Sequence, residues 1–190
     1  MSFNITSEPA KEPVTKNEVK DQLGISDNAQ DLVIERRITK ARLWIEDYCE
    51  RSLINQTIEF RFDNFQEIIR VPRPNIVSVT SIKYIDGDGT ETTIDSGEYV
   101  ADTFDHVIRN AYGYTWPTPR CEKNACRIVY VAGYGTSQDD VPDAIKDELI
   151  NIVGHWINYQ AQQQNGQFIT QVPTAIRRIL DNYRTGTSFI

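Results

Sequence analysis

A chain of 190 residues with 39 % hydrophobic, 10 % aromatic and 25 % charged residues has enough apolar material for a core and excludes a disordered chain. Twenty Lys and Arg against 27 Asp and Glu leave a formal net charge of −7, which excludes a broad phosphate-gripping surface but not a channel along which DNA slides. Three cysteines, an odd number, argue against a secreted disulfide framework, although Cys121 and Cys126 stand close enough in sequence to bridge.

Residues 1–13, MSFNITSEPAKEP, are polar, carry Pro9 and Pro13, and lack an apolar signal region. They read as a flexible arm, and the chain as one folded in a cytoplasm. Thr15 with Glu18 forms a capping box for a short helix through Val19 and Leu23 that Gly24 ends. Asp27 is the expected N-cap of a helix over 28–51. Its stripe is Ile34, Ile38, Ala41, Ile45, Tyr48 and Cys49. Leu32 and Leu43 fall on the opposite face, so this helix is either wedged inside its own domain or touches a neighbouring subunit.

The middle third alternates instead. TIEFRF (57–62), EIIRV (67–71) and VSVTSIKYID (77–86) read as strands, with Val77, Val79, Ser81, Lys83 and Ile85 on one face of the last. PRPN (72–75) is a break, and Asp86-Gly87-Asp88-Gly89 is a hairpin turn with Thr90 to Ile94 returning. Tyr99 to Ala101, Val107 to Arg109 and Arg127 to Val131 complete a small antiparallel module. In the last strand Ile128, Tyr130 and Ala132 face one way, Val129 and Val131 the other.

After Gly133-Tyr134-Gly135 a helix opens, with Asp140 as expected N-cap and Pro142 in its first turn. Ile145, Leu149, Ile152, Trp156 and Tyr159, flanked by Val153 and Ile157, make a wide, buried stripe. AQQQNGQ (161–167) reads as a polar loop. Pro173 opens a final helix with Ala175, Ile176, Ile179, Leu180 and Tyr183 inward. The expected fold is α+β: mainly an α-helical bundle with a small antiparallel β module inserted between its second and third helices. The expected boundaries are an arm at 1–13, bundle at 14–54, β module at 55–135, bundle at 136–184 and a tail at 185–190.

Chemistry-bearing constellations are absent from the pattern. Asp86, Asp88 and Glu91 start like a calcium loop but lack its full ligand set, and a hairpin turn accounts for them. His106, Cys121, Cys126 and His155 fit no compact zinc spacing. No nucleophile elbow, His-Glu helix pair or phosphate loop occurs. The reading is therefore no enzyme, no catalytic or metal residue and no cofactor. Tyr112, Tyr114 and Trp116 form an aromatic loop that is suited to covering the β module, meeting a subunit or stacking a ligand. No apolar run reaches membrane-spanning length, so no membrane partner is expected.

Several segments in order carry a resemblance. They are VTKNEVKDQLGI, IERRITKARLWIEDYCERSLINQT, VPRPNIVSVTSIKYIDGDGTE, AYGYTWPTP, VYVAGYG with VPDAIKDELINIVGHWIN, and VPTAIRRILDNYR, spanning residues 14–184. Together they resemble the head–tail connector (adaptor) family of tailed bacteriophages, in the group with a β insertion. The resemblance implies a virion neck protein, made in the host cytoplasm. It forms a homo-oligomeric ring of about twelve copies under the portal protein. Such a ring extends the DNA channel, passes DNA without sequence recognition, and docks a tail or stopper protein. The resemblance further implies portal contact through Arg184, Thr185, Gly186, Thr187, Ser188, Phe189 and Ile190. Subunit contacts would come from the long helices, with Leu32, Arg36 and Leu43, and from Tyr112, Tyr114 and Trp116. The alternative reading is a monomeric β-domain that binds a peptide or sugar through the 112–117 loop.

Overall fold

The computed structural model describes residues 2–162 and 172–185. The fold is α+β, with the β module inserted between the second and third α-helices. The chain divides into two compact units, one of residues 1–10 with 55–134 and one of residues 11–54 with 135–190.

The β unit has two antiparallel sheets. The larger runs in the order β1 (Ser2–Ser7), β2 (Gln56–Phe62), β8 (Cys126–Ala132), β4 (Ile76–Ile85), β5 (Glu91–Ile94). The smaller runs β3 (Ile68–Arg70), β7 (Val107–Asn110), β6 (Tyr99–Asp102). Strict alternation on β2 and β8 sends Ile58, Phe60, Phe62, Cys126, Ile128, Tyr130 and Ala132 into one core with Ile69, Ile82 and Ile108. The Asp86–Gly89 hairpin turn is present. Asp86 accepts hydrogen bonds from the amides of Asp88 and Thr90 at 3.0 and 2.9 Å, which commits its carboxylate to the turn.

β4 departs from simple alternation. Its pairing with β8 slips between Ile76 and Ser78 and again between Val79 and Ser81. Each bulge adds one residue, so the core-facing positions become Ile76, Val79, Ile82 and Tyr84 rather than every second residue. Val77, which shares a face with Val79 in an unbroken strand, is left exposed.

Residues 2–7 correct the expectation of a flexible arm. They form β1 and pair with β2 from Ser2↔Arg61 to Ser7↔Thr57. The run Ser-Phe-Asn-Ile-Thr alternates, and no proline interrupts it before Pro9. Pro13 and Val14 are buried in the helical unit, so the second half of the supposed arm is packed as well.

The helical unit holds α1 (Lys16–Leu23), α2 (Asp31–Cys49), α3 (Asp143–Gln162) and α4 (Thr174–Leu180). The α1 capping box is present, with Thr15 and Glu18 bonding reciprocally and Gly24 closing the helix in the left-handed region at φ 66°. Gly154 lets Leu23 approach α3, where a Cβ would sit 2.7 Å from the leucine Cδ2. Two expected caps are corrected. Asp27 bonds to the amide of Ala29 in a local turn, and α2 starts later, behind Gln30. Asp140 closes a short 3-10 turn back onto Ser137, and the carbonyl of Pro142 accepts the first amides of α3. On α4, Ile176 and Leu180 are buried but Ala175 and Ile179 face solvent, because a two-turn helix buries a narrow stripe. The expected loop at 161–167 begins as helix, and its remainder lies outside the described residues.

Candidate functional site: the outer face and C-terminal end of the long helix

α2 buries a broad face: Ile34, Ile38, Ala41, Ile45 and Cys49, together with Arg42 and Glu46. The two charged residues are 3 % and 0 % exposed. Arg42 donates to Glu12 at 2.8 Å and to Glu46 at 3.0 Å, and Glu46 accepts the backbone amide of Leu53 at 2.9 Å. Glu12 also accepts from Thr39 at 2.8 Å, and its carbonyl accepts from Gln138 at 3.0 Å. This network pins the entry to α1 and the exit from α2 onto one helix. Sequence reasoning missed it, although Arg42 and Glu46 sit at i, i+4 beside the apolar positions 41 and 45.

The opposite face carries Leu32, Arg36 and Leu43, spaced by four and seven residues and hence on one stripe. Leu32 is 69 % exposed, Leu43 38 %, and Val33 beside them is exposed too. Among the described residues of the helical unit nothing covers this stripe.

The C-terminal end of α2 is occupied by the chain's own final segment. Glu50 takes the left-handed cap at φ 55°. Thr185 donates its amide to the Cys49 carbonyl at 3.1 Å, and its hydroxyl lies 3.3 Å from the same oxygen and 3.4 Å from the Glu50 oxygen. These are carbonyls a helix end leaves without partners. Arg51 donates to the Tyr183 carbonyl at 2.7 Å, Tyr48 donates to Asp181 at 2.7 Å, and the Arg184 guanidinium lies 5.8 Å from the Tyr48 ring centre. The hydrogen bond to Asp181, followed by burial, raises the Tyr48 pKa. Arg184 and Thr185 thus have a fixed place; residues 186–190 lie outside the described residues.

The aromatic loop divides. Trp116 stacks on Phe65 at 4.9 Å, Tyr114 meets Trp116 edge-on at 6.3 Å, and both pack against the β core. Tyr112 stands clear, 107 % exposed. Two of the three rings therefore pack on the β module while staying half-buried, and Tyr112 is fully exposed. Among the described residues no group of three or more His, Cys, Asp or Glu is arranged to hold a metal, and no helix is long and apolar enough to cross a membrane. All three cysteines are free thiols; burial pushes Cys49 up to about 11 and Cys126 up to about 12.

Residues 12–186 match the head completion protein family, nearly the whole chain. The chain belongs to that family. It is accordingly a structural protein of particle assembly and not an enzyme. No curated protein matches it. Among solved structures, the fold is similar to that of a chain in the virion of a native gene transfer agent particle. That chain is 17 % identical with a TM-score of 0.79, over 100 % of this chain and 98 % of that one. A chain from the neck of an empty particle of this kind, computed with C6 symmetry, has a TM-score of 0.78. One from the neck of a native particle, computed with C12 symmetry, has 0.74. Both are again 17 % identical, with the same coverage. The family match and the fold likeness both span the α2 stripe and the segment through Thr185.

Proposed function

We propose that this protein is a head–tail connector that sits in the virion neck and assembles as a ring of about twelve copies under the portal protein. The ring extends the DNA channel and offers its far side to a tail or stopper protein. It forms in the host cytoplasm during assembly. The observation that carries the reading is the α2 stripe: a folded head completion family member leaves Leu32 at 69 % exposure on a helix whose other face is fully used. An apolar stripe of this kind is stabilised by covering it, and a head-to-tail contact repeated around an axis covers it in every copy. In this reading Leu32, Arg36 and Leu43 contact the neighbouring subunit, with Tyr112 reaching outward from the loop that Tyr114 and Trp116 anchor. Arg184 to Ile190 contact the portal, starting from the point where Thr185 is fastened to α2. The acidic balance of −7 disfavours tight binding of DNA and suits its free passage.

The test is mass photometry of the chain alone and mixed with the portal protein of its own particle. A small species that becomes a portal-bound ring supports the reading. A strict monomer that ignores the portal refutes it and turns attention to ligands of Tyr112. Leu32→Asp with Leu43→Asp is expected to abolish the ring while leaving the circular dichroism spectrum unchanged, because both side chains are at the surface of the folded chain.

A further inference from the structure

The two sheets present four edge strands, β1 and β5 on the larger, β3 and β6 on the smaller. Edges are templates for unwanted pairing, and proteins guard them with charge. β5 carries Glu91, ion-paired with Lys83 at 3.0 Å; β3 carries Arg70; β6 carries Asp102, ion-paired with Arg109 at 3.0 Å. β1, Ser-Phe-Asn-Ile-Thr-Ser, has no charged residue at all. It is also the least buried strand. Five of its six residues are exposed and only Ile5 is half-buried. Phe3 and Ile5 lie opposite Phe60 and Ile58, on the core side of the sheet, yet Phe3 remains 48 % exposed.

A strand with so little side-chain burial is held mainly by its backbone ladder to β2, and any copy of the same strand reproduces that ladder residue for residue. Its attachment is unusual too. Residues 1–10 belong to the β unit, whereas the chain from Lys11 onward belongs to the helical unit. Between Ser7, the last strand residue, and Glu12, which Arg42 and Thr39 hold, lie only Glu8, Pro9, Ala10 and Lys11. Five residue steps reach at most about 18 Å. A short, proline-stiffened hinge between a bonded strand and a clamped anchor is the arrangement that favours exchange of an element between identical chains.

We infer that β1 is an exchanged strand: in the assembled protein, Ser2–Ser7 of one copy pairs with β2 of the next copy around the ring. The inference rests on the ring reading above. The exchange forms and loses the same hydrogen bonds, so it costs little. The ring supplies the neighbour at high effective concentration, and the short hinge restricts the partner to an abutting copy. The exchange also links each copy to the next by main-chain bonds.

The experiment uses the full chain on its portal, with Asn4→Cys and Glu59→Cys at positions directly opposite in the β1–β2 register, and Cys121→Ser to remove the exposed thiol. After mild oxidation, exchange predicts a ladder of covalent multimers on a non-reducing gel that collapses on reduction. Multimers must be absent from either single-cysteine variant. Rings whose only 4–59 bond is within one chain overturn the inference and leave the ring reading intact. Absence of rings by mass photometry, with the bond within monomers, overturns both. Disulfide-linked dimers of the Asn4→Cys variant alone, or no 4–59 bond at all, also overturn the exchange, because β1 would then pair elsewhere.

Discussion

Removing Arg42 should damage the helical unit far more than its position in a charged-looking helix suggests. Arg42→Met keeps length and packing but takes the guanidinium from Glu46, whose side chain has no solvent exposure, and from Glu12. A buried carboxylate without its counter-ion costs about 3–5 kcal/mol. For a chain of this size that corresponds to a fall in melting temperature of roughly 10 °C. Glu46→Gln should be milder, about 1–2 kcal/mol, because the amide oxygen still accepts from the Leu53 amide and Arg42 still has Glu12. The pair Arg42→Met with Glu46→Leu should cost about 1–3 kcal/mol, less than Arg42→Met alone. It removes both buried charges and strands the Leu53 amide, while Glu12, partly exposed, finds water. Chemical denaturation gives the order. Hydrogen exchange at the Leu53 amide localises it, since protection should survive in Glu46→Gln and fall in the pair. A cost below about 1 kcal/mol for Arg42→Met, or a pair whose cost equals the sum of its singles, would refute the buried-network argument.

Three further outcomes are expected. Gly133→Ala places a Cβ 2.6 Å from the Asn55 backbone nitrogen and should destabilise the β unit by about 1–3 kcal/mol, whereas Gly87→Ala, with open space around it, should be silent in the same denaturation assay. Asp31 has its pKa lowered by hydrogen bonds from Lys20 and then Lys16, so its contribution is complete above the ordinary carboxylate range and is lost as pH falls through the depressed folded value. Asp31→Asn should therefore lower stability at neutral pH and converge with the parent chain in acid, as read from stability curves against pH. Of the three thiols, Cys121 alone should react with iodoacetamide in the folded protein. Cys49 and Cys126, buried and with raised pKa values, should label only in denaturant, as peptide mass mapping would show.

The hairpin at Asp86–Gly89, the α1 capping box and the alternation of β2 and β8 were legible because each is decided within a few residues. The exposed Leu32 and Leu43 were legible from helical spacing alone. What escaped depends on partners distant in the chain. β1 pairs with a strand whose partner residues lie 50 or more positions away, and its polar, proline-followed sequence gives no sign that an open edge awaits it. The β4 bulges arise from matching β8, and no residue in VSVTSIKYID announces them. Asp27 and Asp140 are good capping residues that found nearer amides first, at Ala29 and Ser137. Arg42 and Glu46 look like a solvent-facing pair until Glu12 and Leu53 are brought to them. Of the candidate site, the stripe was visible in the sequence, while the fastening of Thr185 was not, because it relies on main-chain carbonyls that every helix has.

That fastening makes α2 a mechanical link. The helix has 19 residues and is about 28 Å long. One end of it holds the departing chain by main-chain hydrogen bonds, and its flank bears the Leu32 stripe. A force applied at Thr185 therefore acts on the end of a stiff rod. Any displacement of that rod moves Leu32, Arg36 and Leu43 together, so a pull at Thr185 and a fit along the helix flank are felt as one event.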